Sequence, residues 1–111
     1  MSVAEQAYRL TAGFPKDEVY GMASQIRRSA VSIAANIAEG HGRETSGGFI
    51  QFLRMSQGSL KELETHLLLA ERVKLASLRE VEPLLQQCNE LGKMTRSLIR
   101  SIQRKQTNAQ D

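Results

Sequence analysis

Three runs of residues recur at alternating steps of four and three, and that spacing restricts the fold more than any other feature of the chain. The first is Val19, Ala23, Ile26, Ala30, Ile33 and Ile37; the second is Phe49, Leu53, Ser56, Leu60, Leu63, Leu67 and Ala70; the third is Val81, Leu84, Cys88, Leu91, Thr95, Leu98 and Ile102. A mean step of about 3.5 residues keeps each run on one face of an α-helix as a seam. Aromatic residues make up 5% of the chain and only Pro15 and Pro83 interrupt it, so little remains that favours strands.

Start and stop signals divide the chain into helices at about 3–12, 16–40, 46–73 and 78–105, followed by a tail at 106–111. Gly40 and Gly42 end the second helix as glycines past a C-cap do, and Gly13-Phe14-Pro15 separates the first from the second. Ser77 with Glu80 reads as a capping box opening the last helix, and Pro83 falls in that helix's first turns. Short connections make successive helices antiparallel neighbours. Paired seam residues then have constant totals, 86 for the second and third helices (Ile33 with Leu53, Ile26 with Leu60) and 151 for the third and fourth (Leu60 with Leu91, Leu53 with Leu98). Ala30, Ser56 and Thr95 share one layer, where small and hydroxyl-bearing groups set register and bond backbone carbonyls or each other. The expected fold is an all-α, antiparallel up-down four-helix bundle with a short first helix, forming one domain over 1–111.

The first helix, matched as Leu10 to Val19 and Val3 to Ile26, covers only half the bundle. A groove is left at the layers of Ile33 and Ile37, lined by Phe49, Phe52, Leu53, Leu98 and Ile102, and a contiguous apolar patch of that kind is expected to be covered by another copy of the chain. Ile33, Ile37, Phe49, Phe52, Leu98 and Ile102 are the expected interface.

Catalysis has little to build on. Di-iron bundles use Glu-x-x-His pairs, but Ala38 precedes His41 by three and Leu63 precedes His66 by three; Glu62 with His66 is a lone pair of ligands. Cys88 falls in a seam opposite Leu63, where a thiol is an inert core residue, and Gly40-x-Gly42 and Gly47-Gly48 lack the strand that a phosphate-cradling loop requires. No enzyme activity, metal or cofactor is expected. A single cysteine, no apolar leader after Met1 and no apolar run longer than Leu67–Ala70 point to a reducing cytoplasm and no membrane span.

Charge is the remaining functional signal. From Leu91 onward Lys93, Arg96, Arg100, Arg104 and Lys105 face one acid, Asp111, so this end holds a surplus of four while the preceding 90 residues total minus one. Lys93, Arg96, Arg100 and Arg104 share an outer face of the last helix, near His41, Arg43 and Arg54 at the same end of the bundle. A helix C-terminus favours one or two cations, each by roughly 0.3 to 1 kcal/mol, but not a stripe over three turns. The stripe reads as a non-specific nucleic-acid surface, DNA or RNA; without aromatic residues among its cations it lacks base stacking. A protein-binding scaffold is the alternative.

Gln25-Ile26-Arg27-Arg28, the run Ser32-Ile33-Ala34-Ala35-Asn36-Ile37-Ala38-Glu39-Gly40, and Gly58-Ser59-Leu60-Lys61-Glu62-Leu63-Glu64, with Phe14-Pro15-Lys16-Asp17-Glu18 and Tyr20-Gly21, resemble the signature of the four-helix-bundle proteins of 23S ribosomal RNA intervening sequences, over about residues 14–102. The resemblance implies an up-down bundle assembling into a homopentameric ring. It also implies kinship with accessory variability proteins of diversity-generating retroelements, which bind nucleic acid and a reverse transcriptase. No catalytic residues come with it, and family members carry a longer first helix than this chain. The signature residues have a structural reading of their own: Gln25, Arg27, Arg28, Asn36, Ser59 and Glu62 are expected to form polar pairs between the second and third helices, Arg28 with Glu62 among them, and Gly58 to admit a close helix.

Overall fold

The computed structural model describes residues 1–110; Asp111, the end of the expected tail, lies outside them. Four α-helices and one 3-10 turn make up the fold: α1 Val3–Ala12, the turn Lys16–Glu18, α2 Met22–His41, α3 Ser46–Arg72 and α4 Leu78–Gln110. No strand occurs among the described residues, and the molecule is a rod of 56 × 22 × 21 Å.

Local chemistry sets the helix ends. Ser2 and Glu5 form a reciprocal capping box at α1, and Ser77 and Glu80 form the expected one at α4, with the Glu80 carboxylate accepting from the Ser77 N–H at 2.9 Å. Both glutamates are held below the usual carboxylate range, by those serine hydrogen bonds. Helix α2 begins at Met22, six residues later than its spacing predicts, because Pro15 and Gly21 bracket a separate 3-10 turn. Val19, placed in the α2 seam by sequence, is consequently exposed. The 106–110 segment is the end of α4 rather than a tail, since nothing in Arg104–Gln110 breaks a helix. Pro83 lies in the second turn of α4, so the Arg79 carbonyl loses its intrahelical donor, at residues that are both exposed.

The seams form one main core, in which Ala7, Ile26, Leu63, Leu67, Ala70, Val81 and Cys88 are wholly or almost wholly buried. Partners on α2 and α3 run in opposite directions, as sequence predicts, but the register differs. Ile33 with Ser56 and Gly40 with Phe49 each total 89, three residues from the expected 86, and Ser32 with Ser59 totals 91, five from it. A slip of nearly one turn keeps the same faces inward, so heptad spacing alone does not distinguish the two registers. The contact at Gly40 does: a Cβ there would lie 2.9 Å from Phe49 Cδ1 and 3.2 Å from Phe52 Cβ, so its bare backbone lets the Phe49 ring and the stem of Phe52 close over the end of α2. Gly40 is therefore a buried close-approach residue, and Gly42 alone is the cap. Gly58, expected to admit a helix, is exposed with nothing within 4 Å of its would-be Cβ.

On α3 and α4 the expected register holds to within about a residue, with Glu64 beside Cys88 and Leu60 sharing a cleft with Gly92. The α4 seam departs at its end: Ile99 is buried and Leu98 is 36% exposed. Val81 to Ile99 spans about five turns of a straight helix at 3.6 residues per turn, whereas a strict heptad drifts to Leu98. Ser56 and Thr95 are buried as expected, each donating to a carbonyl, of Ile33 at 3.2 Å and Leu91 at 2.8 Å; Ser56 is level with Ile33 rather than Ala30.

Helix α1 also sits further along α2 than expected. Arg27 donates to the Thr11 hydroxyl at 2.7 Å and lies over the Tyr8 ring, and Val3 lines one groove with Ala30 and Ile33. The nine residues between α1 and α2, with Phe14 buried as a plug, permit this displacement.

Candidate nucleic-acid interface

The basic face belongs to the last turns of α4. At about 100° per residue Lys93, Arg96, Arg100 and Arg104 fall within an arc of roughly 80°, and all four are exposed. Lys105 is exposed too, but points to the flank that carries Met94 and Leu98. The ion pairs among the described residues are Arg43–Glu39 at 3.0 Å and Lys61–Glu64 at 3.7 Å, so none of the four cations pairs directly with a described carboxylate.

The face is not uniform. Arg96 folds back until its Nη1 lies 3.5 Å from where a Gly92 Cβ would stand, entering a cleft of about 270 Å³ with Gln57, Lys61, Glu64 and Asn89. Arg100 and Arg104 share a shallow surface with Gln103 and Thr107. Arg43 is less free than its position suggests: besides the Glu39 carboxylate it has the Phe52 ring, 4.6 Å from its guanidinium, and His41 tilts against Phe49 at 4.7 Å. Arg54 is exposed on α3.

The signature residues make other partnerships than those expected. Arg28 and Glu62 do not form an ion pair; both edge an open shelf on the outer side of α2. Ser59 meets Ser32, hydroxyl to hydroxyl at 2.9 Å, Asn36 donates to the Ser32 carbonyl, Arg27 turns to α1, and Gln25 is exposed. The cross-helix contact is thus carried by small hydroxyls, because the altered register brings Ser59 within reach of Ser32.

The groove left by the short α1 exists but has different walls. Val3, Ala30, Ile33, Ile37, Leu91 and Met94 line a space of about 370 Å³. Phe49 and Phe52, assigned to it by sequence, are spent on Gly40 and Arg43, and Leu53 is fully buried. Leu98 and Ile102 lie further along α4, exposed and half-buried. Met94, 67% exposed, is the residue that sequence reading missed; its steps of three from Leu91 and four to Leu98 were the available signal. Burial pushes the Cys88 thiol up to about 12, the Glu64 carboxylate adding to the effect. Among the described residues no three His, Cys, Asp or Glu side chains converge as a metal site would require, and no helix is long and apolar enough to cross a membrane.

Fold and surface together define a small four-helix protein with a localised basic face. The chain belongs to the 23S rRNA-intervening sequence protein family, whose family model matches residues 1–97. It is similar in fold to a crystal structure from Bacteroides thetaiotaomicron, described as a protein of unknown function from the S23 ribosomal protein family, with a TM-score of 0.74 and 24% identity over 87% of this chain and 97% of that one. A search of curated proteins gives no match.

Proposed function

We propose that this protein is a non-enzymatic, cytoplasmic binding protein that assembles with its own copies and holds nucleic acid, without sequence preference, on the basic face of α4. The observation carrying this reading is the arc of Lys93, Arg96, Arg100 and Arg104, unpaired with any described carboxylate. Cations so arranged favour phosphates, and a ring would sum their fields on a common surface. In this reading the helices form an up-down bundle, and a neighbouring copy covers the groove at Ile33, Ile37 and Met94, with five copies as the family resemblance implies.

The test is anisotropy of a labelled duplex titrated with protein. Binding at 50 mM salt is expected to fall steeply with salt, at a log-log slope of about 0.9 per phosphate contacted. Replacing Arg96, Arg100 and Arg104 together by Gln is expected to remove most of it and leave the helical circular dichroism unchanged. No binding by the wild type, or equal binding by the triple variant, would favour a scaffold or accessory subunit whose partner is a protein, such as a reverse transcriptase. Light scattering tests assembly, and a monomeric mass at micromolar concentration rejects it.

A further inference from the structure

The outer side of α2 carries a second surface, unrelated to the α4 face. It is an open shelf of about 790 Å³ bounded by α1, the end of the 3-10 turn and the rim of α3. Its distinguishing group is Tyr20, whose side chain is 95% exposed although it sits in a constrained turn. Gly21 follows it with its would-be Cβ 3.1 Å from Glu18 Oε2, and the same carboxylate accepts from the Met22 N–H at 3.4 Å. The ring is thus presented to solvent by a pinned turn. Across the shelf the Arg27 guanidinium lies 4.7 Å from the half-exposed Tyr8 ring and is fixed by its bond to Thr11. Exposed Arg28 lines the same shelf, with no carboxylate partner among the described residues.

Two aromatic rings, a guanidinium placed over one of them and a free arginine are the groups that bind unpaired nucleotides. Bases stack on tyrosine rings and arginine planes, and phosphates pair with guanidinium groups. The α4 face has the cations without the rings. We infer that this shelf is a binding site for single-stranded nucleic acid, with Tyr20 stacking a base, Arg28 meeting the backbone and the Arg27–Tyr8 pair extending the platform. Glu62, at the α3 rim, offsets one of the two charges, so the salt dependence is shallow compared with that of the α4 face. The inference does not depend on duplex binding by α4.

The chain supplies its own probe. Tyr8 and Tyr20 are its only tyrosines and it has no tryptophan, so intrinsic tyrosine emission comes from this shelf alone. Titrating the full-length protein with an unlabelled thymidine oligonucleotide at 50 mM salt is expected to quench that emission saturably. Tyr20→Leu is expected to weaken binding, read by anisotropy of the same oligonucleotide carrying a dye, by about tenfold. Arg28→Gln is expected to lower the log-log salt slope by about 0.7, the single-strand value per phosphate. The Arg96, Arg100 and Arg104 triple Gln variant is expected to retain the quench, which separates this site from α4. Absence of quenching in the wild type overturns the proposal, as does a Tyr20→Leu protein that binds equally well. A third overturning result is tyrosine emission shielded from acrylamide in the free protein, which would make the shelf a contact between copies.

Discussion

At the end of the rod covered by α1, Ile26, Leu63, Leu67, Val81 and Cys88 are sealed among four helices. At the other end the same kind of seam has only three helices around it, and the buried Leu53 and Ile99 fall outside the main core while Leu98 and Met94 meet solvent. The difference comes from the length of one element, the ten residues of α1 against the 33 of α4. Spacing makes a seam; the number of neighbours decides whether it becomes a core. The closed end holds the core, and the open end is left with apolar side chains in solvent.

The largest effect that tests this contrast is expected from truncation on its two sides. Leu63→Ala, at a fully buried position, is expected to cost about 3 kcal/mol in urea unfolding, whereas Leu98→Ala is expected to change fold stability by less than about 0.5 kcal/mol and to act on assembled mass instead. Equal losses at the two positions would erase the distinction. Next comes Gly40→Ala, which pushes a methyl into Phe49 and Phe52 and is expected to lower stability by about 2 kcal/mol; an unchanged urea midpoint would mean that the open end tolerates repacking.

The thiol sharpens the account of the closed end. Its folded pKa of about 12 lies above the ordinary 9.0, so the protonated thiol is favoured by folding. Its contribution is complete below pH 9 and declines as pH rises towards 12, by at most about 1.4 kcal/mol per pH unit, less where water reaches the sulfur. Stability of the wild type should fall more steeply over that window than that of Cys88→Ala, and parallel curves would place water at the seam. The smallest expected change is a gain. Gly58→Ala, with open space around it in mid-helix, should raise stability by about 1 kcal/mol, or roughly 4 °C in Tm; a loss of assembled mass in that variant would put another copy against Gly58.

Much of the helix content was legible. The bounds of α1, the Ser77–Glu80 box and the seams of α3 and α4 as far as Thr95 follow from residue type and spacing. The Ser2–Glu5 box has the same pattern and was equally readable. What spacing left open was level: a slide of nearly one turn preserves every seam, and the choice at α2 and α3 rests on the missing side chain of Gly40 against Phe49 and Phe52. The candidate site was legible as charge, since Lys93, Arg96, Arg100 and Arg104 are exposed as their positions predict. Its environment was not. That Arg43 is engaged by Glu39 and Phe52, and that Arg27 turns to Thr11, depends on where α1 and the hairpin come to rest.

Cys88 also turns the molecule into its own clock. The chain has one sulfhydryl, buried between α3 and α4 at the floor of the cleft that Arg96 enters. A disulfide reagent reaches it when the cleft or the helices around it open, so the rate of its modification reports openings on this side of the closed end. Each copy carries a single such sulfur, so in an assembly of the kind proposed, at reagent concentrations where modification outpaces closing, concerted opening gives steps of several sulfurs at once and independent opening gives single steps, which intact mass spectrometry separates.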